Sequence, residues 1–164
     1  MEPIPDRPLP RIVAVNISPG GIPKLPVDDI FVIDDGLVGD GRAHAKHLKP
    51  TRAVSLLDEE IVDALREEGY AVGPGAMGEN ITVRALDLQR LAVGARLRFD
   101  GGVEIELTEP RKPCFVLDSI DPALQTAVLG RFGFMAKVIT GGVLRCGASV
   151  EVRNPMREAD VVPA

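Results

Sequence analysis

The sequence predicts a mainly β fold, a closed or nearly closed β-barrel with two or three short helices. The chain of 164 residues contains 17 Gly and 14 Pro, which favour many short elements joined by tight turns. It also contains several short runs in which apolar and polar residues alternate, as expected for strands with one buried face. Both observations disfavour a bundle of long helices.

The predicted strands are short β-branched or alternating runs that end at turn residues. The clearest run is 103–107, which alternates strictly and follows the Asp-Gly-Gly turn at 100–102. Together with the apolar positions of 97–99, it predicts a hairpin. The other predicted strands are residues 12–17, 30–33, 81–83, 136–140, 143–144 and 150–152.

Two helices are predicted from capping and charge signals. Asp58 can cap a helix whose first turn contains Glu59 and Glu60, where the helix dipole favours anions. Apolar residues then recur at helical spacing until Gly69, which is expected just beyond the end. A second helix is predicted over residues 122–129, with a proline in its first turn and a glycine after its end.

The chain is long enough for one domain with its own core and too short for two. We expect that domain to span residues 11–154. Residues 1–10 contain four prolines and predict an extended arm, and residues 155–164 predict a loose tail.

Charge and hydropathy argue against two classes of partner. The 19 Lys and Arg residues against 24 Asp and Glu leave a net charge of −5, so the general basic field of a nucleic-acid binder is missing. No stretch approaches the ~20 apolar residues of a membrane span or has the form of a signal peptide. Two cysteines are too few for a disulfide framework. Together these features predict a cytoplasmic protein without a nucleic-acid or membrane partner.

The two cysteines receive different interpretations. Cys114 follows Arg111 and Lys112 in the segment EPRKPC. Because nearby cations stabilise a thiolate, Cys114 is the candidate reactive group, as a nucleophile or a soft metal ligand. The alternative is that Cys114 is a small buried apolar residue. Cys146 alternates with apolar residues of a late strand and is interpreted as packing.

A cationic loop, GRAHAKHLKPTR, occupies residues 41–52 of this acidic chain and contains no acid. Arginine, lysine and backbone amides bind phosphate, so the loop predicts an anion site, although a solvated surface loop is the alternative. Its basic residues are Arg42, Lys46, Lys49 and Arg52, beside His44 and His47. The histidines lack the carboxylate partners of a usual zinc site, but either could act as a base for Cys114.

A glycine-rich loop, GPGAMGEN, occupies residues 73–80 and leads into a predicted strand. It could bring backbone amides close to an anion. It matches neither a Walker motif nor a dinucleotide-binding fingerprint. Glu79 and Asn80 at its end could equally be structural, through hydrogen bonds to backbone amides.

The ordered set of motifs resembles the MOSC domain, a family named for the C-terminal domain of molybdenum cofactor sulfurase. The chain looks like a small stand-alone bacterial member, with a resemblance from about Gly20 to Val152. The motifs are GGIPKLPV at 20–27, GLVGD at 36–40, RAVSLLDEE at 52–60, PGAMGENITV at 74–83, LAVGARLRF at 91–99 and PRKPC at 110–114. The loop at 41–50 departs from the glycine-rich H-x-G-G-P stretch of many members.

The resemblance implies a barrel-like fold and a role for Cys114. In the family the matching cysteine is proposed to carry sulfur as a persulfide or to coordinate the molybdenum of a pterin cofactor, so Cys114 is the expected catalytic residue and metal ligand. The cofactor implied is the molybdenum cofactor, molybdopterin, or another phosphate-bearing small molecule. The residues expected to bind it are Lys24, Asp40, Arg42, His44, Lys46, Arg52, Glu79, Asn80 and Arg111.

Three functions stay open at this point. The first is a protein that binds the molybdenum cofactor or carries sulfur, for which a separate cysteine desulfurase partner would hold pyridoxal phosphate. The second is a molybdenum-dependent reductase of N-hydroxylated bases or amines, which would need a separate electron-donor protein. The third is a non-catalytic barrel that binds an anionic ligand.

Overall fold

Two β-sheets and two α-helices make up the regular structure of residues 8–41 and 50–153, the ranges that this computed structural model describes. The strands are β1 Arg11–Ile17, β2 Leu25–Val27, β3 Asp29–Ile33, β4 Gly36–Leu37, β5 Val54–Asp58, β6 Ile81–Arg84, β7 Arg96–Phe99, β8 Glu104–Pro110, β9 Phe134–Thr140, β10 Gly142–Arg145 and β11 Val150–Arg153. The helices are α1 Glu59–Glu67 and α2 Leu124–Ala127. Of the predicted terminal segments, residues 1–7 and 154–164 lie outside the described ranges.

The larger sheet has eight strands in the order β11-β7-β8-β9-β5-β6-β1-β2. Its β5–β6 pair is parallel and its other pairs are antiparallel. A smaller sheet has the order β10-β3-β4. These sheets confirm the mainly β class.

The start of β1 approaches the segment that leads into β11, at the opposite end of the larger sheet. Arg11 and Ser149 form an isolated bridge. The Ile12 amide donates to the Ala148 carbonyl at 2.9 Å, and the Val150 amide donates to the Pro10 carbonyl at 3.0 Å. These bonds join the two ends locally, while closure of the whole sheet into a barrel stays a prediction.

The predicted hairpin is the β7–β8 pair, and it directs the chain towards Cys114. Gly101 and Gly102 both have φ of +100°, a conformation that glycine adopts without steric cost. Across this turn, the Phe99 amide donates to the Val103 carbonyl at 2.8 Å. The second strand, β8, ends at Pro110, directly before the segment that contains Cys114.

The first predicted helix is confirmed as α1, but Asp58 does not cap it through its side chain. Instead the Asp58 carboxylate accepts the Leu88 amide, at 3.1 and 3.0 Å from its two oxygens. The second predicted helix is shorter than 122–129, since α2 has four residues. Few hydrogen bonds offset helix nucleation in so short a segment, so its position depends on packing. Within the described residues, the helices are all too short or too polar to cross a membrane.

Two hydrophobic cores meet at β5. Leu56 is fully buried in the larger core, between the strands, and Leu57 is fully buried in a second core. The second core also contains Leu65 of α1, together with Leu117 and Phe132 from the segment after β8. Because apolar residues cover both faces of β5, all five of its residues are buried. The second core holds the chain around Cys114 against the sheet.

Candidate functional site

A pocket of about 430 Å³ opens beside the end of β8. It collects residues from six separated segments of the chain, and six of the ten residues predicted from the sequence line it. These six are Lys24, Asp40, Arg52, Asn80, Arg111 and Cys114. Among the other four, Glu79 is buried with none of its surface exposed. Arg42, His44 and Lys46 belong to residues 42–49, outside the described ranges.

Cys114 is exposed and lines the pocket. It directly precedes a 3₁₀ turn, Phe115–Ser119, whose Leu117 amide donates to the Cys114 carbonyl at 3.1 Å. This exposure contradicts the alternative in which Cys114 is a buried apolar residue. The neighbouring ring of Phe115 is 71% exposed, so the thiol lies beside an uncovered aromatic surface.

Cys146 is also exposed, so its interpretation as a packed core residue is wrong. β10 ends at Arg145, and Cys146 begins the turn that follows. Its thiol donates to the Val13 carbonyl at 3.2 Å. Alternation could not indicate this, because the strand ends one residue before the cysteine.

Arg111 places a fixed positive charge in the wall of the pocket. Its Nη2 donates to the Met77 carbonyl at 3.0 Å, and its guanidinium carbon lies 4.0 Å from the centroid of the Phe132 ring. Its Nη1 is buried without a hydrogen-bond partner among the described residues. Burial lowers the pKa of Arg111 to about 10, while the charges of Glu79 and Cys114 act in the opposite direction. Arg111 therefore stays protonated at neutral pH.

Glu79 stabilises the glycine-rich loop from inside. Its Oε2 accepts the Gly75 amide at 2.9 Å and the Thr82 hydroxyl at 2.8 Å. Burial raises the pKa of this carboxyl, and the hydrogen bond from Gly75 and the charge of Arg111 oppose the rise. These contacts support the structural interpretation of Glu79.

Asn80 joins three segments behind the pocket wall. Its side-chain nitrogen donates to the Asn16 carbonyl at 3.2 Å and to Asp40 Oδ2 at 2.9 Å. Its side-chain oxygen accepts the Ser55 amide at 3.1 Å. Since both ends of the amide bind protein atoms, Asn80 shapes the pocket by holding β1, β5 and the Asp40 loop together.

Lys24 and Asp40 form a nearly buried ion pair in the pocket lining. Lys24 Nζ lies 2.6 Å from Asp40 Oδ2, and the two side chains are 13% and 5% exposed. Asp40 Oδ1 also accepts the Ser18 amide at 3.0 Å. The pair therefore contributes little net charge to the pocket.

Arg52 and Glu109 form a second ion pair in the pocket lining, and this pair is much more exposed. Arg52 Nε donates to Glu109 Oε1, and the side chains are 39% and 38% exposed. The Thr108 hydroxyl donates to the Thr51 carbonyl next to it. Arg52 ends a 3₁₀ turn, Pro50–Arg52, which forms the last three residues of the predicted cationic loop.

The pocket carries a local positive excess in a chain of net charge −5. Its described lining contains four basic residues, Lys24, Arg52, Arg111 and Lys112, and two acidic residues, Asp40 and Glu109. Such a lining favours an anionic ligand. The described residues contain no group of three or more His, Cys, Asp or Glu side chains that could hold a metal ion.

The apolar wall of the pocket was not predicted from the sequence. It includes Met77, Leu117, Phe132 and Met135. Phe132 is buried under Arg111, and it precedes Gly133, whose carbonyl accepts the Arg111 amide at 3.0 Å. Gly133 has φ of +78°, and a Cβ there would lie 1.8 Å from the Leu56 carbonyl oxygen. The glycine that directly follows Phe132 was thus the signal in the sequence that two backbone segments approach closely at this point.

This chain is similar to known proteins in sequence and in structure. The MOSC domain family model matches residues 43–151. YflK of Bacillus subtilis, described as an uncharacterized protein, is 28% identical over 139 residues, which are 80% of this chain and 62% of YflK. A Gibberella moniliformis protein named "Reductase" is 28% identical over 133 residues, 75% of this chain and 23% of that protein. The chain thus spans less than two thirds of either relative.

The crystal structure of YiiM from Geobacillus stearothermophilus shares the fold. It superposes with a TM-score of 0.74 at 24% sequence identity, over 88% of this chain and 75% of that one. The family model covers more than half of the chain, and it includes Cys114 and most of the larger sheet. The chain therefore belongs to the MOSC domain family.

Proposed function

We propose that this chain binds a molybdenum–pterin cofactor in the pocket, with the sulfur of Cys114 as the protein ligand of the metal. The observation that carries the proposal is an exposed thiol in a positively charged pocket of about 430 Å³. Sites for small ligands typically measure ~300–1,000 Å³. A sulfur carrier alone needs a reactive thiol, but it needs neither a pocket of this size nor an excess of cations.

The donor set fits a metal that arrives inside an organic cofactor. Cys114 offers one soft sulfur ligand, and the described residues supply no further metal-binding cluster around it. A metal held here therefore needs other ligands, which a pterin with its own sulfur atoms provides. Arg52, Arg111 and Lys112 supply positive charge for the cofactor phosphate, and the apolar wall can pack against a planar ring.

In this proposal the residues of the chain have separate roles. When bound, the cofactor supplies a redox-active metal centre. Cys114 binds as a thiolate, the form in which cysteine ligates metals, and Arg111 lines the same pocket. Phe132 and the Met77 carbonyl hold the Arg111 guanidinium in place. Asn80 and the Lys24–Asp40 pair maintain the opposite wall.

The test is the molybdenum and sulfur content of protein purified from a host that makes the cofactor. Wild type and Cys146→Ser are expected to carry molybdenum and pterin, and Cys114→Ser is expected to lose them. Cys146→Ser is the matched control because it removes the other exposed thiol. Full metal and sulfur loading of Cys114→Ser would contradict the proposal.

The persulfide alternative uses the same thiol and gives a different result. Cys114 would then carry an added sulfur atom, visible by mass spectrometry, in protein that holds no molybdenum. The exposure of Cys114 supports this second role, since the persulfide of a donor protein could reach it, transfer its outer sulfur and leave as a thiol. A separate cysteine desulfurase with pyridoxal phosphate would have to supply the sulfur.

Another candidate function is that of a molybdenum-dependent reductase, which the name of the Gibberella relative favours. Its substrates would be N-hydroxylated bases or amines, and its electrons would come from a separate donor protein. The test is reduction of an N-hydroxylated purine by metal-loaded protein with several electron donors. Reduction by wild type but not by Cys114→Ser is expected, and no reduction with any donor would argue against this activity.

A further inference from the structure

The ion pair between Arg52 and Glu109 lies in the lining of the pocket that also holds Cys114. Arg52 is the basic residue of the predicted anion-binding loop at 41–52 that the described pocket lining contains. In this structure its Nε faces a carboxylate of the protein itself. The chain therefore places an anion of its own where a ligand anion is expected.

The exposure of the pair makes this contact easy to exchange. Both side chains are more than one third exposed, so water solvates and screens both charges. A guanidinium binds a phosphate through two parallel hydrogen bonds, and a phosphate carries more charge than one carboxylate. A phosphate that enters the pocket can therefore replace Glu109 as the partner of Arg52.

Of the two acidic residues in the described pocket lining, Glu109 is the one that we expect to repel an entering anion. Asp40 is the other acid in the described lining, and Lys24 neutralises it at 2.6 Å. Arg111 and Lys112 add positive charge to the same lining. An entering anion is thus attracted by the basic residues and repelled by Glu109.

We propose that Glu109 is an internal counter-anion of Arg52, which the phosphate of a ligand displaces, and that Glu109 thereby limits the anion affinity of the pocket. This inference rests on the proposed function only in requiring an anionic ligand in this pocket. Glu109 makes the binding free energy of more highly charged anions less favourable by a larger amount, because Coulomb repulsion scales with the negative charge of the ligand. It also occupies Arg52 when no ligand is bound.

Glu106 provides a matched control on the same strand. Its carboxylate contacts Arg96 at 3.1 Å and Lys137 at 3.3 Å, and it is not part of the pocket lining. Glu106→Gln and Glu109→Gln each remove one negative charge from β8, so they change the net charge of the chain equally. Only Glu109→Gln removes the carboxylate that pairs with Arg52.

The experiment titrates inorganic pyrophosphate and inorganic phosphate into wild type, Glu109→Gln, Glu106→Gln and Arg52→Gln by calorimetry at low ionic strength. Glu109→Gln is expected to bind pyrophosphate about five- to tenfold more tightly than wild type, with a smaller gain for phosphate. Glu106→Gln is expected to stay within about twofold of wild type, since its charge is farther from the ligand and screened. Arg52→Gln is expected to weaken pyrophosphate binding by about fivefold or more. Thermal melting confirms that each variant is folded.

Three results would overturn the inference. Glu109→Gln could bind as wild type does, it could gain no more than Glu106→Gln, or none of the proteins could bind either anion. The molybdenum assay on Cys114→Ser is independent of these titrations. A failure of the displacement is therefore distinguishable from a failure of the proposed cofactor site.

Discussion

The guanidinium of Arg111 lies over the ring of Phe132, with its central carbon 4.0 Å from the ring centroid. Such a cation–π contact contributes about 0.5–2 kcal/mol, depending on how far water is excluded. The hydrogen bond from Arg111 to the Met77 carbonyl fixes the guanidinium from a second direction. This cation of the pocket wall is therefore held by two segments that lie far from it in the sequence.

Replacing Arg111 is expected to slow the reaction of Cys114 with an anionic reagent. In Arg111→Met the pocket loses a positive charge that attracts anions, so alkylation of Cys114 by iodoacetate at pH 7 should slow by roughly three- to tenfold. The rate is measured for Cys114 alone, in a Cys146→Ser background. Arg96→Met is the control, because Arg96 pairs with Glu104 and Glu106 and is not part of the pocket lining. An unchanged alkylation rate in Arg111→Met would show that the charge of Arg111 does not attract anions to Cys114.

Gly133 is expected to tolerate no side chain. A Cβ at this position would lie 1.8 Å from the Leu56 carbonyl oxygen, so Gly133→Ala must displace β5 or the segment that carries Phe132. We expect a loss of about 3 kcal/mol or more in the free energy of unfolding, or failure to fold. Urea denaturation measures this loss.

Gly130 is the matched control for this substitution. It has φ of +76°, close to the +78° of Gly133, but a Cβ there meets no atom within 4 Å. Gly130→Ala should therefore cost only the strain of the left-handed backbone, about 1–2 kcal/mol. Equal losses in the two variants would contradict the steric explanation.

The carboxyl of Asp58 is expected to make stability depend on pH. Burial raises the pKa of Asp58 to about 6 from an ordinary value of 3.8, the hydrogen bond from Leu88 opposes the rise, and the charges of Glu60 and Asp87 add to it. The folded state therefore binds a proton more readily than the unfolded state. The stabilisation from this proton is complete below about pH 4 and is lost as the pH rises through 6.

Asp58→Asn isolates this contribution. The variant keeps an oxygen that can accept the Leu88 amide, but it no longer ionises. Its free energy of unfolding, relative to that of wild type, should therefore rise by up to about 3 kcal/mol as the pH increases from 4 to 7.5. Urea unfolding at four pH values measures the difference. Asp100→Asn, in the exposed turn of the β7–β8 hairpin, removes a carboxylate at the surface and is the control. If the difference in free energy of unfolding between Asp58→Asn and wild type did not change with pH, the raised pKa of Asp58 would be contradicted.

The elements that the sequence predicted well are those whose signals lie within a few residues. The glycines after Phe99 predicted the β7–β8 turn, and the acidic first turn with apolar residues at helical spacing predicted α1, in which Val62 and Leu65 are buried. Predictions about single side chains were weaker. Asp58 has the sequence position of a cap, yet its carboxylate accepts the amide of Leu88, 30 residues further along the chain, a contact that local signals do not indicate.

By itself, the sequence determined the mainly β class, the order of the family motifs, and a cysteine separated from two cations by one proline. These features depend on neighbouring residues, whose periodicity and charge can be read along the chain. Only the tertiary structure decided which cations are compensated, since Lys24 meets Asp40 and Arg52 meets Glu109 across separate segments. It also placed Phe132 under Arg111, because contacts between distant residues arise from the packing of β5, β8 and the second core, which no local pattern encodes.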